Sequence, residues 1–134
     1  MNRVELLVWC LLALVLLGGI SCAAELQQGR FVYRSEIQDV QFLIEIPAGK
    51  LGHAIEIPFT ATSPSGAGAS FEGVMTGVPS EGLWSVSFTD SFNNTGKGTI
   101  MLRPGLVFLT LKLEQTEEPR CSRFYGSMRL VKEG

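Results

Sequence analysis

The chain is poor in the residues that do chemistry. Its 134 residues include one histidine, His53, and three cysteines, Cys10, Cys22 and Cys121. Such scattered residues do not form the ligand spacing of a zinc site. No G-x-S-x-G elbow occurs, so a Ser-His-Asp site would have to assemble around His53 with Asp39 or Asp90, without the strand-to-helix turn the elbow needs. Gly66-Ala67-Gly68 does not continue into a phosphate loop, because Phe71 stands where the third glycine belongs and no G-K-[ST] follows. Asp90, Asn93 and Asn94 offer oxygens, but the glutamate that closes a calcium loop is missing, and a turn rich in Asx residues accounts for them. Asn93-Asn94-Thr95 also matches a glycosylation acceptor, which matters only in a eukaryotic secretory pathway. His53 is read as structural. No catalytic residue, metal or cofactor is expected.

A basic surplus is lacking too. The formal net charge is −2, and Arg3 and Glu5 cancel, so the chain beyond the leader keeps that value. A slightly acidic body argues against nucleic acid as a partner. Long helical patterns are absent beyond residue 22.

One long apolar run is present. Leu6 to Leu17 is apolar throughout, preceded by Arg3 and closed by small residues. It is shorter than the roughly 20 residues a spanning helix requires. The layout is that of a secretory signal peptide. It also inflates the hydrophobic fraction of 46%. The run ends in Gly19-Ile20-Ser21-Cys22, which resembles the lipobox of bacterial lipoproteins, with Gly19 in place of the usual leucine. The resemblance covers residues 1–22 only. It implies cleavage before Cys22 and acylation of that cysteine, with anchoring strength set by the number of chains. Ala23, rather than an aspartate, then implies the outer membrane, with the domain facing the periplasm. The alternatives are cleavage after Ala24 with release as a secreted protein, cleavage after Ser21 with Cys22 unmodified, or an uncleaved anchor. A free Cys22 would allow a Cys22–Cys121 disulfide. Otherwise Cys121 is a buried, idle thiol.

The expected organisation is a signal peptide over residues 1–21, a polar tether over 22–29 and a single β domain over 30–134. Within the domain, Val40–Ile46, His53–Ala61 and Trp84–Thr89 alternate with a period of two. Pro58 cannot donate to a ladder and suggests an edge or bulge. Pro104-Gly105 fits a type II turn. The spacing gives an all-β, antiparallel meander of about eight strands, closed as a barrel or split as a sandwich. Trp84, Phe88, Phe124 and Phe42 are read as core.

The Pro104-Gly105 turn pairs Leu102 with Val107, Ile100 with Leu109 and Met101 with Phe108. The preferred register of the last hairpin opposes Val107 to Leu130, Leu109 to Met128, Phe108 to Arg129, Leu113 to Phe124 and Glu114 to Arg123. It offers a cation–π contact between Phe108 and Arg129. It also places Met101, Phe108, Arg123, Tyr125 and Arg129 together on the outer face, a mix enriched in interfaces. The leading expectation is a lipid-anchored envelope protein that binds a protein or other envelope macromolecule without catalysis. The alternatives are a small apolar-ligand carrier with a closed barrel, and a hydrolase built around His53.

Overall fold

The computed structural model describes residues 25–134, so the expectations for the leader and for Cys22 lie outside the described residues. Eight strands follow in chain order: β1 (Gly29–Ser35), β2 (Val40–Ile46), β3 (Ile55–Thr62), β4 (Phe71–Gly77), β5 (Leu83–Asp90), β6 (Thr95–Arg103), β7 (Leu106–Gln115) and β8 (Ser127–Lys132). Each pairs antiparallel with the next, and β8 returns to β1, giving a closed barrel rather than a sandwich.

The strands form because their residues alternate. In β5 every second residue from Trp84 is buried while Leu83, Ser85, Ser87 and Thr89 are exposed. Outward positions elsewhere carry Glu56, Thr60, Lys97 and Lys112, all exposed. An apolar inside and a polar outside is the inverse of a membrane-spanning barrel. The β2–β3 ladder stops at Phe59, so Pro58 sits where β3 is paired on its β4 side alone. Gly105 takes the positive φ of 73° that a type II turn requires at its third position.

Large side chains occupy the barrel interior among the described residues. Phe31, Phe42, Phe59, Phe88, Phe124, Met75 and Trp84 are all buried in one cluster. Such large rings fit because the facing inward positions are glycines. Phe59 pairs with Gly73 and Phe88 with Gly96. A β-carbon on Gly96 would strike the Lys112 backbone carbonyl oxygen and come within 2.7 Å of the Phe88 ring, and one on Gly73 would strike the Phe59 ring and come within 2.6 Å of the Thr89 carbonyl oxygen. The aromatic ring occupies the space the glycine leaves.

The connections divide between two ends. At the near end, where residue 25 enters, lie the β2–β3, β4–β5 and β6–β7 loops. Within the described part of the expected tether, Leu26 and Gln27 are docked here. Leu26 is buried and its N–H donates to the Gly49 carbonyl at 2.8 Å. The Gln27 side chain donates to the Arg103 carbonyl at 2.8 Å and accepts from the Gly105 N–H at 2.7 Å. At the far end the β7–β8 connection folds over the barrel as a 3-10 helix, Pro119–Phe124, with Cys121 and Phe124 buried. Glu118 caps it by accepting from the Arg120 N–H, and Pro119 opens it where no donor is needed.

The Gly96–Phe88 contact yields a test. Gly96→Ala should destabilise the domain by about 1–3 kcal/mol through overpacking. Combined with Phe88→Ala, the loss should be smaller than the sum of the two single changes. Strict additivity in denaturant melts would show that the ring and the glycine do not share that space.

Candidate functional site

Two groups of residues stand out: a row on the barrel's outer face and a polar cluster buried at the far end. The outer row follows from pairing. Leu83 opposes Met101, Met101 opposes Phe108, and Phe108 opposes Arg129. Leu83 is 62% exposed and Phe108 38%, with Arg129 also exposed. Val131, two residues beyond Arg129, is 48% exposed. A shallow cavity of about 320 Å³ lies against Phe108 and Arg129. Met101, Phe108 and Arg129 thus share one face, as their spacing predicts.

Tyr125 and Arg123 do not join them, and the expected pairs Leu113–Phe124 and Glu114–Arg123 do not form. The last strand starts at Ser127, and residues 119–124 are helical. Gly126 has φ 147°, a conformation other residues avoid, and it breaks the inside-outside alternation there. Phe124 and Tyr125 both turn inward as a result. Pro119 ahead and Gly126 behind were the sequence signals that this stretch is not strand. Arg123 lies at the far end, where it donates to the carbonyls of Gln38 at 2.5 Å and Asp39 at 3.2 Å. Among the described residues the cation over a ring is Arg123 above Phe124, at 4.4 Å, not Arg129 over Phe108.

Tyr125 is the hub of the barrel's aromatic cluster. Its ring centre lies 4.7 Å from that of Phe88, 6.0 Å from Phe71, 6.2 Å from Phe59 and 6.3 Å from Phe42. Its hydroxyl donates to Asp90 Oδ2 at 2.6 Å. Asp90 is 3% exposed, and it is satisfied from every side. Its Oδ1 accepts from the N–H groups of Phe92 and Asn94, and its Oδ2 also accepts from Asn94 Nδ2 at 2.7 Å. Asn94, fully buried, uses its own Oδ1 to accept from the N–H groups of Glu117 and Glu118. A fully bonded buried cluster is stable where an unpaired carboxylate would not be. This cluster ties the β5–β6 turn to the β7–β8 connection, which is the Asx-turn role expected of Asp90, Asn93 and Asn94, with Asn93 taking the positive φ of 64°.

A second far-end group surrounds Asp39. The hydroxyls of Ser63 and Ser65 and the Ser65 N–H donate to its carboxylate. These bonds, with Arg123 nearby, hold the Asp39 carboxyl below its ordinary range. His53 is exposed on the β2–β3 loop at the near end, its N–H donating to the Lys50 carbonyl. The histidine and the carboxylates of Asp39 and Asp90 are therefore at opposite ends, and the triad geometry is not assembled. Among the described residues no cluster of His, Cys, Asp or Glu is placed to hold a metal ion.

Cys121 is free and fully buried at the far end. Burial, then the nearby Asp90 charge, raises its thiol above the usual range. Three residues from Cys22 to Glu25 reach about 10 Å when extended, whereas a seven-residue strand rises about 23 Å. Glu25 lies at the near end and Cys121 at the far end, and Cys22 itself lies outside the described residues.

Comparison with protein-family models, with curated proteins and with solved structures finds no match to this chain.

The Tyr125 environment sets an alkaline limit. Burial first, and then the bond to Asp90, push the phenol far above its ordinary value of 10. A group whose folded pKa is raised stabilises the fold below its unfolded pKa and loses that contribution as pH climbs above it. Stability of the wild type should therefore fall above about pH 10 more steeply than that of Tyr125→Phe. Parallel slopes in alkaline melts would contradict this placement. Separately, Cys121 should resist a thiol reagent in the native protein and react fully once unfolded. Rapid native labelling would show that the far-end cover opens readily.

Proposed function

We propose that this chain is an exported, lipid-anchored envelope protein whose barrel is a non-enzymatic binding module for another protein. The observation that carries this reading is the outer row Leu83–Met101–Phe108–Arg129. Leu83 and Phe108 are exposed on either side of a half-buried Met101, with Arg129 beyond Phe108, on a barrel whose interior is lined by large side chains. Clustered exposed apolar residues mark interaction sites more often than solitary ones do. Aromatic, Met and Arg side chains are the types enriched there. An interior occupied by large side chains favours recognition on the outside over the small-ligand carrier, which needs an empty lumen.

The anchor rests on the lipobox-like Gly19-Ile20-Ser21-Cys22. It agrees with the docking of Leu26 and Gln27 at the near end. An acylated Cys22 has at most about 10 Å of chain before Glu25. It would hold the near end against the bilayer and leave the outer row accessible from the side.

Two measurements test the proposal. Intact mass of the membrane-extracted protein should show an acylated chain beginning at Cys22; an unmodified chain beginning at Glu25 would remove the anchor. A photo-crosslinker in place of Phe108, in the native envelope, should give a discrete protein adduct that one in place of Thr60, on the outer face of β3, does not. Against the partner so identified, Phe108→Ala and Leu83→Ala should each weaken binding by roughly 1–3 kcal/mol with little change in melting temperature. Equal adducts from both positions, or unchanged binding in both variants, would end the reading.

A further inference from the structure

The barrel's closing seam is only half paired. The β1–β8 ladder consists of Phe31–Lys132 and Val32–Val131, extended toward the near end by the Glu133 N–H donating to the Arg30 carbonyl, and it does not continue toward the far end. From Tyr33 to Ser35, β1 pairs with β2 alone, and from Ser127 to Leu130, β8 pairs with β7 alone. Continuing the seam in the same register would set Tyr33 against Leu130 and Arg34 against Arg129. Both arginines are exposed on the outer face. Like charges directly opposite each other destabilise a strand pair, which gives a physical reason for the ladder to stop there.

A groove of about 630 Å³ follows this seam, lined by Val32, Arg34, Arg129, Val131, Lys132 and Glu133 among others. A smaller cavity of about 220 Å³ continues it toward the far end, sharing Tyr33 and reaching Arg123. In a body of net charge −2, the side chains lining the groove include the cations Arg34, Arg129 and Lys132 and the carboxylate of Glu133. Glu133 is already committed to Arg30 at 3.5 Å and Arg34 at 3.3 Å. Arg129 has no ion partner within reach among the described residues.

We propose that the seam is a docking site for an extended acidic segment of a partner protein, added as a strand to the free edge of β8. Main-chain groups facing the gap supply the affinity common to strand addition, and the side chains beside them supply the choice. Val32 and Arg34 are two residues apart on one strand, and Val131 and Arg129 two apart on the other. A fitting segment therefore pairs along Ser127–Leu130 with an Asp or Glu between the arginines, and it ends against the Val32–Val131 pair, which stays closed, with an apolar side chain on its outer side. That carboxylate gives Arg129 the ion partner it lacks among the described residues. The site is distinct from the Leu83–Phe108 row, touching it at Arg129 alone, and its partner need not be the same.

The test is by NMR on the domain beginning at Glu25, with the peptide acetyl-Thr-Val-Thr-Glu-Thr-amide and its counterpart bearing Lys for Glu. The acidic peptide should shift and protect the amides of Ser127–Leu130 and Tyr33–Ser35, and the basic one should bind about tenfold more weakly or not at all. Inorganic polyphosphate should not protect those amides. Arg129→Glu should abolish binding of the acidic peptide. It should also let the seam zip, raising the melting temperature and the protection of the Arg34 amide in the free protein. Equal binding of both peptides, equal protection by polyphosphate, or unchanged affinity in Arg129→Glu would overturn the proposal. Shifts confined to Leu83, Met101 and Phe108 would overturn it while leaving the outer-row reading intact.

Discussion

Everything in this domain depends on a sheet being made to close on itself at β1 and β8. An open eight-stranded meander would leave a long edge on each side and an apolar face half exposed. Closure here rests on two residue pairs and on what bridges the ends. At the far end Arg123 reaches from the 3-10 helix to the Gln38 and Asp39 carbonyls, joining the β7–β8 connection to the β1–β2 turn. Near the seam's other end, Glu133 donates its N–H to the Arg30 carbonyl at 2.8 Å. The ladder is short, and side-chain and terminal contacts make up for it.

The same closure explains the polar core. A barrel filled with phenylalanines needs a lid, and the lid must bring its own backbone groups to satisfaction. Asn94, held in place by Asp90, does this by accepting from the Glu117 and Glu118 amides, while Tyr125 carries its ring into the cluster and donates its hydroxyl to Asp90. One buried carboxylate thus couples a tight turn, a helical cover and the aromatic centre. Where both members of such a network are buried, removing either leaves the other unpaired, so the cluster acts as a unit.

Much of the fold was legible in the sequence because its cause is local. Period-two alternation marks β2, β3 and β5, Pro104-Gly105 sets the β6–β7 register and with it Met101–Phe108, and the choice of opposed charges in the last hairpin gave Phe108–Arg129. Barrel against sandwich was not legible, because that choice is made by a contact between strands at opposite ends of the chain. The outer row was half legible. Met101, Phe108 and Arg129 follow from strand parity, but Arg123 and Tyr125 were assigned by carrying that parity upstream through Gly126, whose backbone breaks it. Leu83 was overlooked because it heads a strand whose alternation points it to solvent. The Asp90 cluster was visible as turn chemistry, and its burial was not, since only the lid makes it internal.

The half-paired seam also bears on the order in which this molecule can assemble. Neighbouring hairpins form from short loops, so the meander can grow from β1 onward as residues become available. The contact that ends the process joins Phe31 to Lys132, about a hundred residues apart in sequence, and it can form only once the strands between them are in place. A chain delivered from its N-terminus, by ribosome or by translocation channel, must wait as an open, curling sheet until its last strand arrives. During that wait β1 offers its whole edge to any passing strand, and Arg30 and Arg34 along it serve as the charged guards that discourage such pairing.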